Sequence, residues 1–238
     1  MTLIPDNTTP GGTVVLTGSS SGIGRAVAEM FLGRGRAVIG LDLHPAPAEL
    51  ADLDGFTGYV VDVTDAAAVA AVFAELAAAG TRLEALVTAA GMYPATYFGS
   101  SEESAYRRLF DLNVWGTVTA CQSFAEVCAE GASIVTIASR DAYVPQDNQF
   151  LYGASKAAVA HLTLAMAQAL LPRGIRVNAV SPPRVATEAL RAIYGEMPRD
   201  AVPVDVITSV VRALAAGGDL AGLNGQVVRV PAHGEIEL

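Results

Sequence analysis

Apolar runs rich in β-branched residues recur along the chain at strand length. They occupy 13–17 (T-V-V-L-T), 36–42, 57–62, 84–88, 132–138, 175–180 and 226–230. Between them lie longer stretches with apolar residues at helical spacing, near 22–33, 65–79, 101–128, 151–171 and 203–216. Near-continuous apolar strands alternating with helices predict a parallel sheet covered on both faces. No internal repeat or linker divides the chain, so the expectation is one domain over 1–238, opening with a loose, turn-rich arm at 1–12.

The junction after the first strand carries the first chemistry. Gly18, Ser19, Ser20, Ser21, Gly22, Ile23 and Gly24 separate that strand from a helical pattern. Strand, glycine turn and helix in this order fit a dinucleotide site. Gly18 suits a tight turn, Gly22 a close approach to a pyrophosphate, and Gly24 close packing of helix on strand. The free amides of the helix N-terminus favour the anion. The second strand ends at Asp42, roughly 20 residues after the first glycine, where a ribose-binding acid is expected. A carboxylate there accepts hydrogen bonds from both ribose hydroxyls and repels a 2′-phosphate. Asp42 therefore predicts NAD rather than NADP. The fold class expected is α/β, a single-domain Rossmann fold with a doubly wound, seven-stranded parallel sheet.

Tyr152 and Lys156 stand one helical turn apart in Y-G-A-S-K, on one face. An ammonium beside a phenol is expected to lower the phenol's pKa and so permit proton exchange near neutral pH. The Ser139 hydroxyl, at the end of the fifth strand, can hold a substrate oxygen.

The balance of 15 Lys+Arg against 24 Asp+Glu, net −9, argues against a nucleic-acid partner. No run of 18 or more apolar residues predicts a membrane span, and the first residues lack a signal-peptide pattern. Cys121 and Cys128, seven apart on one expected helix, are too distant to bridge. The three histidines are scattered and give no metal-ligand pattern. A reducing cytoplasm is the expected location.

Together these motifs resemble the short-chain dehydrogenase/reductase family. T-G-S-S-S-G-I-G matches its cofactor turn, so Gly18, Ser20, Ser21, Gly22, Ile23 and Gly24 are implied in cofactor binding. Asp62 and Val63, in V-V-D-V-T-D, match the segment that brackets the adenine. Ala90 and Gly91 match the end of the fourth strand. Pro182, Val185 and Thr187 match the loop over the nicotinamide, with Thr187 where the family holds the carboxamide. The resemblance implies a catalytic set of Asn113, Ser139, Tyr152 and Lys156. Tyr152 exchanges the proton, Lys156 also binds the nicotinamide ribose, Ser139 orients the substrate oxygen, and Asn113 holds a water that relays protons to the lysine. It also implies a homo-oligomer, dimer or homotetramer.

Two departures stand out. Thr88 and Ala89 replace two asparagines, so strand-tethering hydrogen bonds should be lost or rerouted. Pro183 replaces a glycine, which fixes φ and removes a donor; the adjoining loop and Arg184 are expected to take a different path. Candidate substrate contacts are Tyr93, Arg140, Gln146 and Arg184. The two arginines suit a substrate carboxylate or pair with local acids such as Asp141. The short stretch from Thr187 to Pro203 leaves little room for a large lid. The expected activity is NAD(H)-dependent hydride transfer on a small-molecule secondary alcohol or ketone. A cyclic alcohol or dihydrodiol is one candidate, since the stretches L-E-A-L-V-T-A-A-G and Y-G-A-S-K-A-A look similar to dihydrodiol-type members. A 3-oxoacyl or general ketone reductase and a non-catalytic NAD-binding regulator remain open as alternatives.

Overall fold

The computed structural model describes residues 12–216, 220 and 222–232. All but Gly12 of the expected arm lies outside the described residues. Seven parallel strands form one sheet in the order β3-β2-β1-β4-β5-β6-β9. They are β1 (Thr13–Thr17), β2 (Val38–Asp42), β3 (Phe56–Val60), β4 (Leu83–Thr88), β5 (Ser133–Ile137), β6 (Arg176–Ser181) and β9 (Val227–Arg229). A separate pair, β7 (Val185–Ala186) and β8 (Val202–Pro203), was not foreseen from the sequence.

Alternation along the strands sends neighbouring side chains to opposite faces. Val14, Leu16, Val38, Val87 and Val135 pack beneath helices α1 (Gly22–Leu32) and α8 (Val204–Ala216). Val15, Ile39, Leu41, Leu86 and Ile134 pack on the other face, against Val69, Phe73 and Leu76 of α3 (Ala66–Ala78). Ala120, Cys121 and Phe124 of α5 (Gly116–Val127) complete that layer. Phe73 and Phe124 meet edge to face, 6.2 Å apart, a favoured aromatic geometry. Asp65 caps α3, its carboxylate accepting from Ala67 N and Ala68 N, both at 3.0 Å. The remaining helices are α2 (Ala48–Ala51), α4 (Glu103–Phe110), α6 (Phe150–Leu170) and α7 (Glu188–Tyr194).

One sequence expectation needs correcting. The single helix over 101–128 is divided: α4 passes through a π-helical stretch, Asp111–Trp115, into α5. The wider turn rotates Asn113 to the inside, where it is fully buried. Apolar spacing does not reveal one extra residue in a turn. The longest helix is α6. With its 3₁₀ extension it runs Phe150–Arg173, 24 residues, long and apolar enough by length and composition to cross a membrane. Here it lies along β6 and buries Ser155, Lys156, Val159 and Thr163, a polar as well as apolar face.

The strand order reverses between β1 and β4, since connections run outward from both. Ligands of such sheets bind at the carboxyl ends of the strands at that reversal. Gly18 and Ala90 sit there.

Candidate active site

Gly18 turns the chain at φ +70, and a Cβ there would lie 2.6 Å from Ala90 N. The Cβ position of Gly22 looks into open space. These are the roles expected for a turn that packs inward at one glycine and opens to a ligand at the next. Ser21 begins α1 in extended conformation, leaving the helix amides beyond it at the cleft. Asp42 is held from two sides: Ser20 N donates to Oδ2 at 2.9 Å and His44 N to Oδ1 at 3.0 Å. The acid thus joins the glycine turn to the end of β2, with lone pairs remaining on each oxygen. Asp62 accepts at Oδ1 from Thr64 N (2.9 Å) and Thr64 Oγ1 (2.8 Å). A cleft of about 540 Å³ runs between these elements, lined by Gly18, Asp42, Asp62, Val63, Ala90 and Gly91 among others. An uncapped helix N-terminus, a carboxylate held by two main-chain amides and this cleft fit a dinucleotide. Arg108, Asp111 and Leu112 also line the cleft. Sequence reasoning passed over them because a helix surface arginine or acid carries no distinguishing signal.

At Thr88 and Ala89 the strand end is tethered to β1: Ala89 N donates to Thr17 O and Ala90 N to Thr17 Oγ1, each at 3.2 Å. Thr88 Oγ1 is buried without a hydrogen-bond partner among the described residues.

At the far end, Ser139 follows β5 and caps a 3₁₀ turn, Arg140–Ala142, its Oγ accepting from Asp141 N at 3.2 Å. Tyr152 lies in the first turn of α6, and Ser139 stands near enough to its hydroxyl to favour the ionised phenol. Lys156 is buried one turn on; Nζ donates to Ile137 O at 2.8 Å and lies 6.0 Å from the Tyr152 ring centre. Asn113 grips Met92 from both sides: Oδ1 accepts from Met92 N and Nδ2 donates to Met92 O, each at 2.9 Å. Nδ2 also donates to Ser155 Oγ at 3.0 Å, and Ser155 Oγ donates to Tyr152 O at 2.7 Å. Asn113 thereby links the end of β4 to the turn bearing Tyr152. Ser155, the middle of this link, was missed in the sequence because a serine within a helix is commonplace.

The expected lowering of the phenol is reversed. Burial pushes Tyr152 up to about 12, partly offset by Ser139 and reinforced by Asp141 and Tyr93. Burial lowers Lys156 to about 8. Desolvation disfavours the charged form of both groups and outweighs their mutual attraction. For Lys156 the folded value lies below the 10.5 of the free side chain. Between about pH 8 and 10.5 the unfolded chain therefore holds a proton that the folded chain has released, and stability rises with pH. Denaturation of the cofactor-free protein should show wild type gaining on Lys156→Met across that window, by at most roughly 3 kcal/mol. A constant gap between the two would show that the ammonium is well solvated.

The proposed substrate residues divide. Tyr93 meets Tyr152 edge-on at 6.2 Å. Arg140 is seated by its amide, which donates to Pro182 O at 2.9 Å. Gln146 contributes its carbonyl to Gln149 N at 3.3 Å, and no described contact joins its side chain to Tyr152. Arg184 donates to Asp200 Oδ2 at 2.7 Å and covers the Tyr194 ring at 5.7 Å. Its guanidinium is thus engaged by a local acid rather than presented to a substrate carboxylate. Pairing of β7 with β8, through Val202 N to Arg184 O at 2.9 Å, sets that path. Thr187 caps α7 by accepting from Leu190 N at 3.2 Å. Tyr194, at the end of α7, was not foreseen, since only the pairing of these two-residue strands brings it back to the site.

The parallel sheet, the cleft at its reversal and the Ser-Tyr-Lys cluster beside it define a nicotinamide-dependent oxidoreductase of the α/β class. A family model described as short chain dehydrogenase matches residues 12–197, and the chain belongs to that family. It is 36% identical over 186 residues to 2,3-dihydro-2,3-dihydroxybenzoate dehydrogenase of Escherichia coli (strain K12), covering 77% of this chain and 73% of that one. Galactitol 2-dehydrogenase (L-tagatose-forming) of Cereibacter sphaeroides is 35% identical over 75% of this chain and 73% of its own. Among solved structures, a short-chain type dehydrogenase/reductase from Mycobacterium ulcerans matches with TM-score 0.84 and 27% identity, over 93% of this chain and 89% of that one. ElxO with NADP bound shares the fold, TM-score 0.82 at 24% identity, over 93% and 97%. As a family member, the protein is an oxidoreductase acting on CH–OH groups with a nicotinamide cofactor.

Proposed function

We propose that the protein is an NAD(H)-dependent dehydrogenase that oxidises a secondary carbinol of a small cyclic alcohol or dihydrodiol, or reduces the corresponding ketone. The observation that carries this reading is the cluster of Ser139, Tyr152 and buried Lys156, whose Nζ lies 6.0 Å from the Tyr152 ring centre and is held by Ile137 O at the end of β5, two residues before Ser139. Bound nicotinamide supplies the hydride acceptor or donor. Ser139 holds the substrate oxygen, and Tyr152 removes its proton in oxidation or returns it in reduction. Lys156 offers an ammonium at the same face of α6 for the growing phenolate. Asn113 fixes Met92 and, through Ser155, the backbone of Tyr152. Its amide therefore positions the pair. The similarity to a dihydrodiol dehydrogenase and a galactitol dehydrogenase supports a polyhydroxyl substrate.

Preference for NAD rests on Asp42. Its carboxylate is pinned by Ser20 N and His44 N, so it cannot swing aside for a 2′-phosphate without breaking two hydrogen bonds. The test is turnover of cyclic diols and of β-ketoacyl thioesters with each cofactor, in wild type and Asp42→Ala. Expected are diol oxidation with NAD and, in the variant, a fall of about tenfold or more in the preference for NAD over NADP, the loss of one charged hydrogen-bond acceptor. Reduction of the thioester alone would favour the ketone-reductase reading, and an unchanged cofactor ratio would place Asp42 away from the ribose.

A further inference from the structure

The turn after Ser139 carries an acid that the reaction just described does not use. Asp141 is half-buried, and its backbone is fixed twice. Its N–H donates to Ser139 Oγ at 3.2 Å. Its carbonyl lies so close to α6 that a Cβ on Gly153, the residue after Tyr152, would stand 2.7 Å from it. The turn is therefore seated directly on the helical turn that presents Tyr152. The carboxylate lies within Coulombic reach of the Tyr152 hydroxyl, Arg140 and Arg184.

The surroundings close into a ring. Tyr93 stands edge-on to Tyr152. Tyr194 lies within electrostatic reach of Tyr93 and under the guanidinium of Arg184. Arg184 in turn gives its 2.7 Å hydrogen bond to Asp200. Two aromatic side chains and an occupied arginine thus gather around Tyr152, and the turn that bears Asp141 sits between Ser139 and the first turn of α6, with the Asp141 Cβ 3.9 Å from the Cβ position of Gly153. An ionised carboxylate only accepts hydrogen bonds. It attracts hydroxyl groups and repels another carboxylate.

We infer that Asp141 selects the substrate: its carboxylate accepts a hydrogen bond from the hydroxyl next to the carbinol that Tyr152 deprotonates, so the site takes neutral vicinal diols and turns away substrates with a carboxylate at that position. This rests on the dehydrogenase reading above. It uses at the substrate end the carboxylate-to-diol recognition assigned to Asp42 at the ribose.

The test compares cis-1,2-cyclohexanediol with cyclohexanol in wild type, Asp141→Asn and Asp141→Ala. The asparagine keeps the size and removes the charge; the alanine removes the acceptor. The ratio of kcat/KM for diol over mono-ol should fall about 10- to 100-fold in both variants, the range for a lost charged hydrogen bond, mainly through KM. Turnover of 2-hydroxycyclohexanecarboxylate, whose carboxylate replaces the neighbouring hydroxyl, should improve. An unchanged diol to mono-ol ratio overturns the inference. If wild type oxidises neither alcohol, the dehydrogenase reading fails on these substrates, and calorimetry of the diol with the NADH-loaded protein decides the role of Asp141. Binding at least tenfold tighter to wild type than to Asp141→Asn supports it; equal affinity, or no binding to either, overturns it.

Discussion

Replacing Tyr152 by phenylalanine is expected to lower kcat by about 10³-fold or more, at the upper end of what general acid–base groups contribute, with NAD affinity within about threefold of wild type. The reasoning is geometric. Phenylalanine keeps the ring, its edge contact with Tyr93 and the packing of α6, and removes one oxygen. That oxygen is the group that Ser139 acts on and the one the mechanism asks to exchange the proton. Ser139 alone cannot take its place, because a serine hydroxyl does not ionise in this pH range. The cofactor cleft, lined by Gly18, Asp42 and Asp62, is left intact. Stopped-flow measurement of hydride transfer together with fluorescence titration of NADH separates the two quantities. Turnover within tenfold of wild type would remove Tyr152 from proton transfer; a matching loss of NADH affinity would make it a cofactor anchor instead.

The pH dependence of that step follows from burial. Burial pushes the phenol up to about 12 and the ammonium down to about 8. Both shifts oppose formation of a phenolate and ammonium pair. Asp141 adds to the first, since its negative charge disfavours a second one nearby. Proton transfer near neutrality therefore calls for a ligand that brings new hydrogen bonds or charge to the pair. Tyr152 and Lys156 are a poised rather than an already ionised couple.

Much of this arrangement is written locally. The glycine turn, Asp42 at a strand end and the one-turn spacing of Tyr152 and Lys156 depend on neighbours close in sequence, and the structure places all of them along one edge of the sheet. The alternation of apolar strands with helices gives the layers for the same reason. What the sequence hides is set by tertiary packing. Asn113 reaches Met92 only because one widened turn rotates it inward. Tyr194 returns to the site through the pairing of Val185 with Val202. Arg184 looks like a free substrate anchor until Asp200 is brought to it. The direction of the phenol's shift was misjudged because spacing reports a nearby cation but not the loss of solvent around both groups.

Gly24→Ala is expected to do the greatest damage to the cofactor site, and to do it through the fold. The first turn of α1 lies against the end of β1 with no space between backbones. A methyl at residue 24 would be driven into the Gly18 carbonyl oxygen, with the carbonyl carbon only 2.7 Å away. Both atoms belong to main chain, so no side chain can rotate to relieve the overlap. The helix must lift or the glycine turn must shift, and that turn also carries Ser20 N, the donor to Asp42. Overpacking of this kind destabilises by about 1–3 kcal/mol or more, which lowers Tm by several degrees in a chain of this size, and displacement of the turn should weaken NAD binding by at least about tenfold. Gly22→Ala supplies the contrast. Its φ of +56 penalises a side chain by roughly 1–2 kcal/mol, yet the added methyl meets only open space. Its loss should fall on cofactor affinity, because the methyl would occupy the path of the diphosphate, with the smaller change in Tm. Thermal melts with and without NAD, run on both variants, read the two effects apart. If Gly24→Ala melts with wild type and binds NAD normally, helix and strand are not in contact there, and the glycine turn does not hold the diphosphate in the way its geometry implies.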